Sequence, residues 1–314
     1  MENLVFSLNA TMPIFLMMVL GYLFHKLGWI DDVFAEKMNK FVFLIPLPVL
    51  VFEDLATVDF DEAWNTKFVL FCFVVTFLCI LIVMAISFLW KDKSIQGEFI
   101  QASYRSSAAL LGIAFITNIY GDSGMAPMMI IGSVPLYNIF AVIVLSFFQP
   151  DRQKMGKKLW LKTLKGIITN PIIIGIIAGL LWSGLRIPMP TIMEKTVDMI
   201  GNTASPLGLM AMGATFSFKK AAGKLKPSIV AAFMKLVGFA CIFLPIAVKL
   251  GFRDEELVAI LIMLGSATTV SCYVMARNMG HDGVLTSNTV MLTTLFSAFT
   301  LTMWLFILRS LGLV

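Results

Sequence analysis

Charge is what this sequence has least of. Only 14% of its 314 residues are Asp, Glu, Lys or Arg, against 59% hydrophobic, and the mean hydropathy is +0.89. Soluble domains carry roughly 25% charged residues, so the chain reads as an integral membrane protein. Cysteine and histidine are few as well, at four and two. With no CxxC and no Cys/His cluster, a disulfide framework and a zinc site are excluded, and Cys72, Cys79, Cys241 and Cys272 read as small core residues. There is no HExxH and no Ser/His/Asp set, and His25 and His281 sit at the ends of apolar segments, so an enzyme is not indicated. Strict period-2 alternation is missing, which excludes an outer-membrane barrel. Met1-Glu2-Asn3 lacks a basic n-region, so the first apolar segment is expected to be retained. No segment is polar enough for a soluble output domain, which argues against a receptor. The basic residues are scattered through short loops and form no nucleic-acid patch.

What the chain does have is long apolar segments, ten of them, near 8–27, 38–56, 66–89, 100–119, 126–148, 166–185, 195–216, 227–249, 255–276 and 286–308. Each approaches or exceeds the ~20 residues that a spanning helix needs. Placing the N-terminus outside puts sixteen Lys and Arg in the inner loops and six in the outer ones. The positive-inside rule therefore predicts a cell-membrane protein with both termini outside.

The two halves echo one another. At a constant offset of 158, Pro13 falls on Pro171, Gly21 on Gly179, Pro48 on Pro206 and Glu98 on Glu256. Ala56-Thr57-x-x-Phe60-x-x-Ala63 recurs as Ala214-Thr215-x-x-Phe218-x-x-Ala221. Five spans per unit is an odd number, so the second unit must enter the membrane upside down. The expected fold is all-α: ten transmembrane helices as two inverted five-helix repeats, 1–150 and 166–314, joined by a basic cytoplasmic linker at 151–165.

Two stretches break the apolar pattern at membrane depth. They are Ser103-Tyr104-Arg105-Ser106-Ser107-Ala108-Ala109-Leu110-Leu111-Gly112 and Leu264-Gly265-Ser266-Ala267-Thr268-Thr269-Val270-Ser271-Cys272. Irregular or polar backbone survives there only inside protein or beside a water-filled cavity. Interrupted helices in matching positions of two halves point to a transporter's binding site. Helices 4 and 9 are thus expected to be interrupted there. Spans 2 and 7 are expected to break too, at Ile45-Pro46-Leu47-Pro48 and Ala204-Ser205-Pro206, where proline removes backbone donors, either as a simple kink or to free carbonyls that line a cavity or flex during gating.

Arg105 and Lys235 are the cations within spans; each either snorkels or balances a bound anion. Tyr137 and Asn138 place a phenol and an amide in span 5, as interhelical glue or as substrate contacts. No Asp or Glu is expected deep in a span, since Glu53, Asp54 and Asp198 lie near outer ends, and this favours an organic anion over a proton or sodium antiporter. His281 and the glycine loops at 120–124 and 279–283 read as solvated turns. The candidate site is Arg105, Ser106, Ser107, Gly112, Tyr137, Asn138, Lys235, Gly265, Ser266, Thr268, Thr269 and Ser271.

Several short motifs carry a resemblance. They are Asn170-Pro171, Ala204-Ser205-Pro206 with Gly213, Lys235 with Pro245, Pro135-Leu136-Tyr137-Asn138, and Arg105 with Gly112. In their order and spacing the chain resembles a bacterial member of the auxin efflux carrier family, which includes plant auxin carriers and bacterial malate and malonate permeases. The resemblance implies a scaffold of spans 1, 2, 6 and 7, a transport domain of spans 3–5 and 8–10, broken helices 4 and 9 that cross at the midplane, and a homodimer. Family members often carry Asn and Pro at the crossovers, whereas here Ala108, Ala114 and the run Ser266 to Ser271 stand there. The resulting expectation is a secondary carrier of small organic anions, carboxylates, working by alternating access. The alternative is a sodium-coupled symporter resembling the bile-acid symporters, with Na+ held near Ser266 to Ser271. No cofactor is expected, and coupling to H+ or Na+ is left open.

Overall fold

A computed structural model describes residues 2–57, 65–121, 124–150 and 157–314. Phe60, Ala63, Asp122, Ser123, Arg152 and Lys154, which figure in the expectations above, lie outside the described residues.

All regular structure among the described residues is helical. The chain opens with α1 (Glu2–Lys26), α2 (Asp32–Leu44), α3 (Pro46–Ala56) and α4 (Thr66–Ser87). A 3-10 turn leads into α5 (Gln96–Tyr104), followed by α6 (Ala108–Tyr120), α7 (Ala126–Phe147) and α8 (Lys157–Ile168). Next come α9 (Pro171–Gly184), α10 (Thr191–Gly201), α11 (Ala204–Ala214), α12 (Phe218–Gly223) and α13 (Leu225–Phe233). A π-turn, Met234–Gly238, joins α13 to α14 (Phe239–Lys249), and α15 (Asp254–Gly265), α16 (Ser271–Asn278) and α17 (Val284–Ser310) complete the chain.

Among the described residues, four helices are long and apolar enough to cross a bilayer: α4, α7, Leu225–Lys249 and α17. Much of the remaining apolar sequence is divided into shorter helices, and the divisions have local causes. At Ile45 the chain leaves helical geometry, with φ −125° and ψ −71°, because Pro46 and Pro48 supply no N–H to the preceding turn. Asn170 caps α9 by accepting from the Ile172 N–H at 3.0 Å, with Pro171 in the first turn where its missing donor costs nothing. A Cβ on Gly175 would lie 2.5 Å from the Pro48 carbonyl oxygen, and one on Gly179 would lie 2.7 Å from that of Phe52. Only glycine lets α9 pack this closely on α3.

The distribution of polarity is that of a protein solvated by lipid. Leu70, Phe73 and Leu81 on α4 and Phe296, Phe299 and Phe306 on α17 are exposed. Glu98, Gln101, Arg105, Ser106, Asn138, Lys235 and Ser266 are buried. Hydrocarbon cannot hydrogen-bond, so polar groups turn inward where partners exist. One core gathers α4, α6, α7, α14 and α15 around Phe68, Phe115 and Ile260. A second joins α2, α3, α9, α11 and α16 around Val42, Val51, Ile176 and Val274.

Two expectations need correction. Cys241 is exposed on α14, while Cys72, Cys79 and Cys272 are buried. A thiol is apolar enough to face lipid. His281 is not a solvated loop residue: it is 3% exposed, and its Nε2–H donates to the Leu145 carbonyl at 3.0 Å. The loop folds back because Gly280 and Gly283 take φ of +88° and +72°. Burial holds the imidazole below its ordinary range.

Candidate functional site at the helix breaks

The chain is extended at Arg105 (φ −73°, ψ 129°) between α5 and α6, and at Ser266 (φ −75°, ψ 164°) between α15 and α16. The two irregular segments meet: the Ser107 N–H donates to the Ala267 carbonyl at 2.9 Å. Each broken helix ends in carbonyls that have lost their intrahelical donors, and each set finds partners from elsewhere. On α5, the Ala102 carbonyl accepts from Thr268 Oγ1 at 2.9 Å. On α15, the Met263 carbonyl accepts from Ser106 Oγ, from Tyr137 OH at 3.1 Å and from Lys235 Nζ at 3.1 Å. The Leu264 carbonyl accepts from Lys235 Nζ at 2.7 Å. Gln101 Nε2 donates to the Cys272 carbonyl at 2.8 Å, and the Thr268 N–H donates to Thr293 Oγ1 at 3.0 Å.

A cavity of about 560 Å³ reaches the breaks from one side. Its inner end is lined by Arg105, Ser106, Ser107, Tyr137, Asn138, Thr269 and Ser271, and its far end carries Glu53, Asp54 and Asp198. Pro13, Met17, Leu47 and Leu50 form part of its apolar wall. Arg105 Nη2 donates to Asn138 Oδ1 at 2.8 Å and to Ser271 Oγ at 2.9 Å, while Nη1 lies 2.8 Å from Met275 Sδ. Its Nε–H has no hydrogen-bond partner, and no carboxylate lies within ion-pair distance of the guanidinium among the described residues. An uncompensated buried cation is costly, so this one is chemically ready for an anion. The first turn of α6 (Ala108, Ala109) and the start of α16 (Ser271) border the same cavity. The N-terminal, positive ends of two half-helices therefore add to the Arg105 charge.

The opposite side is closed. Tyr273 OH and Thr215 Oγ1 are 2.5 Å apart, Arg277 pairs with Glu36 at 3.3 Å, and Asn278 Nδ2 donates to the Asn39 carbonyl at 3.2 Å. These contacts fasten α16 to α2 and to the end of α11. Val270 and Val274 fill the gap beside Gly208, where a Cβ would be 3.1 Å from Val274.

Of the twelve residues singled out in the sequence, the structure brings seven to the cavity. Gly112 packs against Met129, Gly265 and Ser266 stand where α15 ends and do not line the cavity, and Thr268 is spent on Ala102 and Thr293. Lys235, fully buried, faces α15 and not the cavity. Sequence reasoning missed Gln101, Met263 and Thr293. Gln101 had a signal, since it stands one turn before Arg105. A carbonyl such as that of Met263 has none. Glu98 was read only as a repeat match; it is 2% exposed and accepts from the Gly283 and Thr286 N–H groups at 3.0 and 2.9 Å, capping α17.

Comparison with known proteins gives relatives of full length. A Rhizobium meliloti protein provisionally named a malonate transporter is 23% identical over 96% of both chains. An uncharacterized transporter of Methanocaldococcus jannaschii is 21% identical over 96% of this chain and 99% of its own. One from Methanothermobacter thermautotrophicus is 19% identical over 95% and 97%. The sequence model of the family described as membrane transport protein matches residues 6–305. The chain is therefore a multi-pass membrane transporter and not an enzyme, and it belongs to that family, the auxin efflux carriers whose motifs it carries.

Proposed function

We propose that this protein is a secondary carrier that moves small organic anions, carboxylates, across the cell membrane by alternating access. The observation that carries the reading is the Arg105 guanidinium, unpaired by any carboxylate among the described residues, at the inner end of a cavity bordered by two half-helix N-termini. Arg105, Ser106, Ser107, Tyr137, Asn138, Thr269 and Ser271 would contact the substrate. A planar guanidinium is well matched to a carboxylate. The name of the Rhizobium relative makes malonate the first ligand to try. The cavity is open on one side and closed on the other, as one state of an alternating cycle requires. Release would then need the Tyr273–Thr215, Arg277–Glu36 and Asn278–Asn39 contacts to part.

The architecture proposed with it is ten spans in two inverted repeats, with spans 1, 2, 6 and 7 as scaffold, spans 3–5 and 8–10 as the moving domain, and a homodimeric assembly. Its support is positional: the break at Ile45 and the one before Ala204 agree within a residue of the 158 offset, and the breaks at 105–107 and 266–270 within three residues at their starts and five at their ends. Single cysteines at Lys157 and Lys249 should label from opposite sides if both termini lie outside; labelling from one side would refute the inverted arrangement. The function is tested by a thermal-shift screen of purified protein against mono- and dicarboxylates. A ligand bound by the folded state raises stability by RT ln(1 + [L]/Kd). A saturable upward shift with a carboxylate, absent in Arg105→Ala, is the expected result. No shift with any member of the series would overturn it.

A further inference from the structure

We infer that the Lys235 ammonium is a resident, covalently tethered cation in a monovalent-cation site formed by Ser106 Oγ and the carbonyls of Met263 and Leu264. The site shares Ser106 and Tyr137 with the wall of the anion cavity, but the ammonium itself does not reach that cavity. Lys235 is 0% exposed and absent from the cavity lining. Thr76, Cys79, Tyr104, Tyr137 and Phe239 enclose it. An ammonium has three N–H donors, and three oxygens meet them: Ser106 Oγ, Met263 O at 3.1 Å and Leu264 O at 2.7 Å. No donor is left over for a substrate.

These acceptors form a cation site in their own right. Two are last-turn carbonyls of α15, the negative end of a half-helix that stops inside the protein. The third is a hydroxyl that donates its own proton to Met263 and so presents its lone pairs to Lys235. All-oxygen sets of carbonyls and hydroxyls are what hard monovalent and divalent cations take from proteins. No carboxylate comes within ion-pair distance of the ammonium among the described residues, so the site is built for one charge balanced by dipoles. The helix bearing Lys235 is itself deformed to deliver it. Phe239 N–H bonds to Met234 O, five residues back, in a π-turn, and π-turns are costly features that concentrate at functional sites.

The consequence concerns coupling, and this part rests on the carrier reading above. A tethered cation neutralises the end of α15 in every state of the cycle and cannot be released. The α15 break then needs no inorganic ion, and transport through it does not consume a sodium gradient at this position.

The site itself is tested without substrate. Thermal stability of wild type and of Lys235→Ala is compared in choline, sodium, potassium and methylammonium chlorides at one ionic strength. Wild type should be indifferent to the cation. Lys235→Ala should melt roughly 5–10 °C lower in choline and recover saturably in methylammonium, which restores both the charge and part of the lost volume. Lys235→Met, which fills the space without charge, should stay destabilised and show no recovery. A Lys235→Ala response to methylammonium no larger than that of wild type, or a Lys235→Met variant as stable as wild type, overturns the proposal. Should Lys235→Ala not survive purification in choline, the yield of monodisperse protein extracted in methylammonium against choline decides instead, equal yields being the negative result. If no carboxylate ever binds this protein, the cation result stands unchanged, so the two readings fail separately.

Discussion

The two helix breaks contain similar residues and use them in opposite ways. At the break after α5, the freed carbonyl of Ala102 is met by a neutral hydroxyl, Thr268 Oγ1, and the nearby cation, Arg105, turns its guanidinium to the cavity. At the break after α15, the freed carbonyls are met by a cation, Lys235, and only neutral groups, Thr269 and Ser271, face the cavity. One buried positive charge is left available and the other is fully engaged. Burial alone does not tell them apart, since both side chains are 2% exposed or less; the list of acceptors does.

The sharpest way to break this contrast is to remove the available charge. Arg105→Ala should leave the melting temperature near that of wild type and weaken carboxylate binding roughly 100-fold, about 2.7 kcal/mol, within the range for hydrogen bonds to charged groups. Ligand-induced thermal shifts and uptake into proteoliposomes report both effects. A large fall in stability with unchanged affinity would mean that Arg105 plays the part assigned here to Lys235.

A smaller effect separates two adjacent threonines. Thr268→Val orphans the Ala102 carbonyl and the Thr293 hydroxyl's acceptor role stays filled by the backbone, so stability should fall by about 1–3 kcal/mol with ligand affinity retained. Thr269→Val touches the cavity and only a neighbouring hydroxyl, Ser271 Oγ at 3.2 Å. It should spare stability and lower affinity about tenfold, by calorimetry or thermal shift.

The contrast explains how much of this molecule could be read from its residues. Prolines and clustered hydroxyls in apolar segments announce breaks, because a missing N–H or a polar group in hydrocarbon has few solutions; Pro46 and the run from Ser266 to Ser271 are legible for that reason. The partners of a buried lysine are not legible. Whether Lys235 meets a substrate, water or the carbonyls of Met263 and Leu264 depends on where another helix stops, and carbonyls look alike in every sequence. His281 was misread for a related reason. A Gly-His-Asp-Gly turn looks solvated until packing presents Leu145 to the imidazole.

The smallest expected effect extends the comparison to a lysine at the surface. Lys224 pairs with Asp92 at 2.5 Å across two loops, with side-chain exposures of 25% and 49%. The hydrogen bonds from Lys224 and then Ser94 hold the Asp92 carboxyl down at about 2. A depressed carboxylate contributes stability that is present above its ordinary range near pH 4 and is lost as pH falls toward 2. Half-exposed and screened by solvent, the pair should contribute no more than about 0.5 kcal/mol. Lys224→Ala should therefore shift the melting temperature by about a degree at pH 7 and not at all near pH 2. A loss comparable to that of Lys235→Met would remove the distinction between surface and buried lysines.

The shortness of the half-helices has a consequence for biogenesis. Gln96–Tyr104 and Ser271–Asn278 are 9 and 8 residues long, less than half of what inserts on its own. Arg105 enters the bilayer with the first of them, yet one of its hydrogen-bond acceptors, Ser271, is synthesised 166 residues later. Until then the Ser107 N–H also lacks Ala267, and the Met263 carbonyl that Ser106 and Tyr137 require does not exist. The N-terminal half thus leaves the ribosome as an unfinished guest of the membrane, open to protease and to chaperones. It is completed only when the C-terminal half threads its own broken helix past it.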